Sequence, residues 1–559
     1  MIPPLAPTCL FALALGACSS PPVEPQAPRQ LEPALGVDDD DPELDPNERS
    51  GRGRGRGRSR DHGGATEAAL AAMYAGEPDP LDHAALVDLY ARSLHPDWSG
   101  QVFLHLAPGH YVLDDDRDDS SDARKRGFHL SAYDWERHVP LLVYVPGDPS
   151  PGVRHAAVSL ESVGATLMDV LGVPRPAGVT APALQVPPHG DLKVVCVLVM
   201  DACPYWMWEH YLGQQPHFAR LRALSREYDR ALLDFMSSST TVSHAALATG
   251  QPPARTGIPI NHTRTAPGHY TEVFQGNDPE RLLVPTAADL YDAGQGNRPV
   301  VVSFSSQSRA AIAMAGHGRS WSGGDADVVA WQHRYSGPME TNEEFYAPIT
   351  YLAQVDARAM LMEHAGESFL GHRLQGERDL FRSPYNVEIG ERAVGLAMVQ
   401  EGVGDDGVTD LVLFNQKVLD NIAHRWGADT EEYQAGMDAL DAFIGRWLET
   451  LHARAGDDFL LIVTSDHGFG PTLARPEEGS DPRRHERAPL QVRVEARLGT
   501  AARPVVEDVQ YLNAYLDEAA MEASGHTLAE VCAAFTAEDW IVDCLVRDEV
   551  LARQAEILP

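Results

Sequence analysis

The sequence predicts an α/β protein with a central, mostly parallel sheet flanked by helices. Two observations carry this. Three runs rich in β-branched and aliphatic residues, "KVVCVLVM", "TDLVLFNQ" and "DDFLLIVT", read as strands buried on both faces. Each run leads into acidic residues: Asp201 after the first, Asp420 after the second and Asp466-His467-Gly468 after the third. Open α/β sheets bind ligands beyond the carboxyl ends of their strands, so all three acidic positions are expected on one functional edge.

At 559 residues and 43% hydrophobic content, the chain has material for one large or two ordinary soluble domains. Its net charge of −36 argues against nucleic-acid binding, because an acidic surface repels a phosphate backbone. The amino terminus, "LAPTCLFALALGACSS", is a short apolar stretch ending in small residues and reads as an export signal over residues 1–18. Leu15-Gly16-Ala17-Cys18 resembles a bacterial lipobox, which implies a lipid anchor at Cys18 and a place in the bacterial envelope, periplasm or outer membrane. The absence of Lys or Arg before the apolar run departs from that pattern.

Residues 19–64, with "DDDDPELDPNE" and "GRGRGRGRSR", lack the apolar residues that offset ordering entropy and read as a solvated tether. Globular sequence is expected from Ala65. Its cysteines are Cys196, Cys203, Cys532 and Cys544; export permits disulfides, and Cys532 with Cys544 is the favoured pair, although connectivity is not fixed by sequence.

The strand-end residues suit metal binding. Adjacent carboxylate and imidazole at Asp466-His467, followed by Gly468, suit close approach to a cation, and Asp420 lies four residues before His424. Carboxylate and imidazole together are typical zinc ligands, and the set suggests two divalent ions. Between these runs lies "DFMSSSTTVSHAALATG", where hydroxyls crowd the start of a predicted helix. A Ser or Thr there can cap the helix, or serve as a nucleophile beside amides that hold an anion.

These residues resemble the motifs of the alkaline phosphatase superfamily. The similarity is to the type I phosphodiesterase/nucleotide pyrophosphatase branch, and within it to the phosphate-irrepressible alkaline phosphatases. The resemblance implies an alkaline-phosphatase-like sheet with a cap insertion. It implies Thr240 as nucleophile, four residues before His244 and leading to Thr249-Gly250. Asn261 in "ARTGIPIN" and Arg309 in "SSQSRAAIAMAGH" stand where the family contacts the phosphoryl group. Where its monoesterases carry Lys, this chain has Gln307. Replacing an ammonium by a neutral amide removes a charge-assisted contact worth about 1.5–3 kcal/mol, to the greater cost of monoesters.

The family requires one further imidazole. His485 in "DPRRHERAPL" has the expected chain order but not the expected surroundings, which occur upstream in "GFHLSAYDWERHVPLLVYVPG" around His129. The resemblance thus implies a circular permutation, with residues 65–189 supplying the end of the catalytic fold and residues 190–559 its beginning and middle. The competing reading is a separate amino-terminal domain with His485 as ligand. On the first reading Asp420, His424 and His129 hold one ion, and Asp201, Asp466, His467 and Thr240 hold the other.

The expected function is hydrolysis of phosphate monoesters, with two divalent ions (Zn2+ by ligand type) and a phosphothreonine intermediate. The partner is a small phosphorylated substrate. The alternatives are a phosphodiesterase/nucleotide pyrophosphatase, or a metal-stabilised surface module without catalysis. Sulfatase chemistry is disfavoured, since no Cys or Ser has the required Cys/Ser-x-Pro-x-Arg context. Residues 320–400 are expected to form part of the cap.

Overall fold

Nine strands build the central sheet of a computed structural model that describes residues 81–113, 125–323, 327–333, 337–474 and 481–558. The export signal at 1–18, the anchor at Cys18, the tether at 19–64 and the expected start at Ala65 lie outside the described residues. In chain order the strands are β1 (Leu141–Tyr144), β2 (Gly152–Arg154), β3 (Val194–Met200), β4 (Arg226–Tyr228), β5 (Val301–Ser305), β6 (Val328–Gln332), β7 (Met339–Glu340), β8 (Asp410–Gln416) and β9 (Phe459–Thr464). Their spatial order is β7-β6-β5-β8-β3-β9-β1-β4-β2. The five strands from β6 to β9 run parallel.

The strands β3, β8 and β9 are buried along their whole length. Alternation of side chains sends Val194, Cys196, Leu198 and Met200 to one face and Val195, Val197 and Val199 to the other. Each face needs its own apolar cover. Helices α1 (Glu161–Val170), α2 (Thr240–Thr249) and α3 (Ser308–Ala315) supply it on the second face, through Val163, Val242 and Ile312 among others. Helices α4 (Val387–Gln400), α5 (Val418–Trp426) and α6 (Glu431–Ala455) cover the first, with Val394, Ile422 and Trp447 fully buried. The expected α/β fold is therefore present.

Strand β1 decides where the early residues go. It pairs antiparallel with β9, Leu141 opposite Thr464, so its amino end lies at the carboxyl edge of the parallel strands. The chain just before it, including His129, is thereby delivered to that edge. Residues 102–106 likewise form a strand inside a second, four-stranded sheet, paired antiparallel with Asn513–Leu516 and Ile541–Val546. Cys532 and Cys544 form a disulfide in this region, while Cys196 and Cys203 are buried free thiols.

The stretch 320–400 begins and ends near core elements. Val328–Gln332 is β6, a strand of the central sheet with Val328 and Ala330 buried on one face and Val329 and Trp331 on the other, and Val387–Gln400 is α4, packed on the first face. Short elements lie between them, including the hairpin strands Ser368–Phe369 and His372–Arg373.

Candidate active site

Thr240 is the first residue of α2, a helix buried along all ten residues and ended by Gly250 in the left-handed region at φ 65°. Capping does not explain the hydroxyl run. Ser239 occupies the N-cap position but its side chain caps no amide; its Oγ lies 3.1 Å from Ser237 Oγ instead. The first turn of α2 therefore has no side-chain acceptor of its own. Thr240 Oγ lies 3.4 Å from His467 Nε2.

Around it the strand ends converge. Asp201 follows β3, Asp466 follows β9, and Asp420 sits in the first turn of α5, one helical turn before His424. His467 Nε2 lies 3.4 Å from Asp466 Oδ2 and 3.9 Å from Asp201 Oδ1. His424 Nε2 and His129 Nε2 lie 3.2 and 3.8 Å from Asp420 Oδ1. Among the described residues two groups bring ligand atoms within 4.8 Å of one another: His129, Asp420 and His467, and Asp201, Asp466 and His467.

All three imidazoles face the same way. The Nδ1 of His129 donates to Ser238 O (2.6 Å), that of His424 to Gly127 O (2.9 Å) and that of His467 to Gly468 O (2.9 Å). Each such bond fixes the tautomer and leaves a lone pair on Nε2 directed at the carboxylates. Asp201 Oδ1, Asp420 Oδ1 and Asp466 Oδ2 are buried without a hydrogen-bond partner. Unpaired carboxylate oxygens out of water are costly, and a set of them facing imidazole lone pairs is what a divalent cation satisfies. The donor set fits such ions.

The electrostatics agree. Burial, then the nearby carboxylate of Asp466, pushes Asp201 above the usual carboxylate range, and burial does the same to Asp466. Burial opposes the charged form of Asp420 too, but Lys417 and His424 hold it well below. Burial lowers His129, whose ring stacks on His467 with centroids 3.9 Å apart. Burial also lowers His467, to about 4. An unfolded His467 binds its proton near pH 6.5, so the metal-free protein is fully stabilised by this residue above 6.5 and loses that stability as pH falls toward 4. The loss is about 3 kcal/mol. Denaturant titration of chelator-treated protein at pH 7 and pH 4 should show this loss beyond that of His467→Gln; equal losses would refute it.

Gly468 has a different use from the one expected. A Cβ there would strike the Trp135 carbonyl, and the Gly468 amide donates to Glu136 O at 2.7 Å. The close approach seen here is to the segment carrying His129. His485, the competing imidazole, is engaged elsewhere: its Nε2 lies 2.9 Å from His110 Nδ1 and its ring stacks on Trp540 at 3.6 Å. Arg309 pairs with Glu272 at 2.6 Å. Gln307 Oε1 and Asn261 Oδ1 are buried without hydrogen-bond partners. Cys203, two residues past Asp201, is an inert thiol that burial pushes up to about 12.

Sequence reading missed two residues. Asn415 Nδ2 donates to Asp201 Oδ2 (3.1 Å) and lies 3.0 Å from His244 Nε2. Lys417, at the end of β8, places Nζ 2.8 Å from Asp420 Oδ2 and 3.1 Å from Asp201 Oδ2. Burial disfavours its charge, but Asp201 and Asp420 outweigh that and raise its pKa. The available signal was a lysine closing a buried strand run that ends at the functional edge.

Comparison with known proteins adds four findings. The type I phosphodiesterase/nucleotide pyrophosphatase family matches residues 195–528. Alkaline phosphatase PhoD of Zymomonas mobilis is 25% identical over 315 residues, which are 50% of this chain and 54% of PhoD. Alkaline phosphatase PhoK of a Sphingomonas species is 24% identical over 312 residues, 49% and 55% of the two chains. The chain thus spans about half the length of the curated relatives it matches. The crystal structure of wild-type alkaline phosphatase PafA superposes with a TM-score of 0.50 at 16% identity, covering 63% of this chain and 77% of that one, a likeness of fold.

Proposed function

The chain belongs to the type I phosphodiesterase/nucleotide pyrophosphatase family of the alkaline phosphatase superfamily, and from that premise we propose that it hydrolyses phosphate monoesters through a phosphothreonine intermediate. The observation that carries this is Thr240 Oγ, buried at a helix start without a side-chain cap and 3.4 Å from His467 Nε2. Asp420, His424 and His129 would hold one divalent ion, and Asp201, Asp466 and His467 the other, with Thr240. Such ions, zinc by ligand type, lower the pKa of a coordinated hydroxyl and offset charge on attacking and leaving oxygens.

The chain's own groups do the rest. Thr240 Oγ attacks phosphorus in line as the ester oxygen leaves, and water then cleaves the phosphothreonine to release phosphate. Amides of the first turn of α2, Asn261 and Arg309 stabilise the equatorial oxygens. Release of Arg309 from Glu272 accompanies that role.

A circular permutation belongs to the same reading: the family match begins at residue 195, yet His129 faces Asp420. Export and anchoring at Cys18 belong to it as well, supported by the lipobox-like sequence and by the Cys532–Cys544 disulfide, which suits an oxidising compartment.

The neutral Gln307 favours a second reading, diester hydrolysis. Elemental analysis should find two zinc per chain; folded protein without metal would support a non-catalytic binding module. Gln307→Lys should raise the ratio of aryl phosphate to bis-aryl phosphate hydrolysis about ten-fold, the effect of one added charge-assisted contact. An unchanged ratio would refute this account of residue 307.

A further inference from the structure

Building on the phosphoryl-transfer reading, we propose that Lys417 is a catalytic residue, a fixed third cation that steadies negative charge on Thr240 Oγ and on the phosphoryl group it attacks. An ammonium has three N–H donors. Nζ donates to Asp201 Oδ2 (3.1 Å) and to Thr240 Oγ (3.4 Å), and it forms an ion pair with Asp420 Oδ2 at 2.8 Å. A clamp on two carboxylates alone has no need of the third direction. The side chain is 2% exposed, so its charge acts in a dry site where Coulomb interactions are strong.

The ammonium adds to the metal ligands and does not replace an ion. It takes the Oδ2 atom of each aspartate, while Asp201 Oδ1 and Asp420 Oδ1 remain without hydrogen bonds. Those are the oxygens 3.9 Å from His467 Nε2 and 3.2 Å from His424 Nε2. Both carboxylates are split the same way, one oxygen to the lysine and one to the imidazole side.

Residue choice and register point the same way. The chain has three lysines, Lys125, Lys193 and Lys417, within 45 basic residues, and one of the three is buried here. A compact ammonium fits three acceptors arranged around a point, which a planar guanidinium does not. Strands β5 and β8 pair in parallel with Phe304 opposite Phe414, and Ser305 Oγ donates to Asn415 Oδ1 at 2.8 Å just beyond. Gln307 follows β5 by two residues and Lys417 follows β8 by one, so both leave the carboxyl edge of neighbouring parallel strands. At this edge the neutral side chain follows β5 and the cation follows β8.

The test uses the full-length metal-loaded protein, with metal content by elemental analysis, aryl phosphate kinetics, and inorganic phosphate as inhibitor. Lys417→Met is expected to keep the parent's metal content, to lower kcat about 100-fold or more, and to weaken phosphate inhibition about ten-fold. In that background Gln307→Lys should recover about ten-fold in kcat, more than it gives in the parent, because the two positions share one task. Uptake of additional metal by Lys417→Met would show that the ammonium stands in an ion's place and would overturn the proposal; so would an unchanged kcat. If Lys417→Met does not fold, Lys417→Arg keeps both aspartates compensated. It should lose at least ten-fold in kcat with its metal retained, and parent-like kcat there overturns the proposal. Failure of the phosphoryl-transfer reading itself is separate, and appears as a Thr240→Ala protein as active as its parent.

Discussion

Thr240→Ala abolishes turnover of aryl phosphates, lowering kcat at least about ten-thousand-fold, while the protein stays folded and retains metal. Loss of an attacking oxygen removes the covalent route entirely, and nucleophile deletions reach or exceed this size. Helix α2 survives the change, because Ala is a better helix former than Thr and the Thr240 side chain caps nothing. Thr240→Ser keeps the oxygen and should retain most of the activity. Rapid acid quench of the parent with labelled substrate should trap phosphate on Thr240, and Thr240→Ala should trap none. An alanine variant within ten-fold of the parent would mean that water, not Thr240, attacks phosphorus.

His129→Ala and His485→Ala should separate sharply. Removing His129 takes away an Nε2 lone pair 3.8 Å from Asp420 Oδ1 and leaves a buried carboxylate oxygen without hydrogen bonds. Loss of about one metal per chain and at least about a thousand-fold in kcat is expected, since the ion proposed there loses one of its three protein donors while Lys417 and His424 still compensate Asp420. Removing His485 takes away a stack on Trp540 and a contact to His110, for about 1 kcal/mol of stability, with unchanged metal content and kinetics. Elemental analysis beside a denaturant titration reads both effects. Metal loss in His485→Ala with full metal in His129→Ala would reverse the assignment of the third imidazole.

Much of this site is legible in the sequence. Strands ending in Asp201 and Asp466 announce themselves, because short runs rich in β-branched residues favour buried strands over helices, and parallel strands share a carboxyl edge. The Asp420-His424 spacing is also local, set by one turn of helix. Lys417 was overlooked because a lone lysine after a strand normally faces solvent, and nothing local says that two aspartates await it. Gly468 was read through its neighbours Asp466 and His467, whereas its real constraint is the carbonyl of Trp135, more than three hundred residues away in sequence.

By itself, then, the chain's order of residues determined which strands are buried, which edge is polar, that hydroxyls crowd one helix start, and which acidic and imidazole groups are available. Only the tertiary structure decided which of them meet. The antiparallel seat of Leu141–Tyr144 against Phe459–Thr464 carries His129 to the edge where Asp420 waits. The parallel pairing of β5 with β8 brings the segments that carry Gln307 and Lys417 to the same edge. The physical reason is the same in both cases: pairing between strands far apart in sequence is chosen by the burial of whole faces, and local patterns carry no record of the partner.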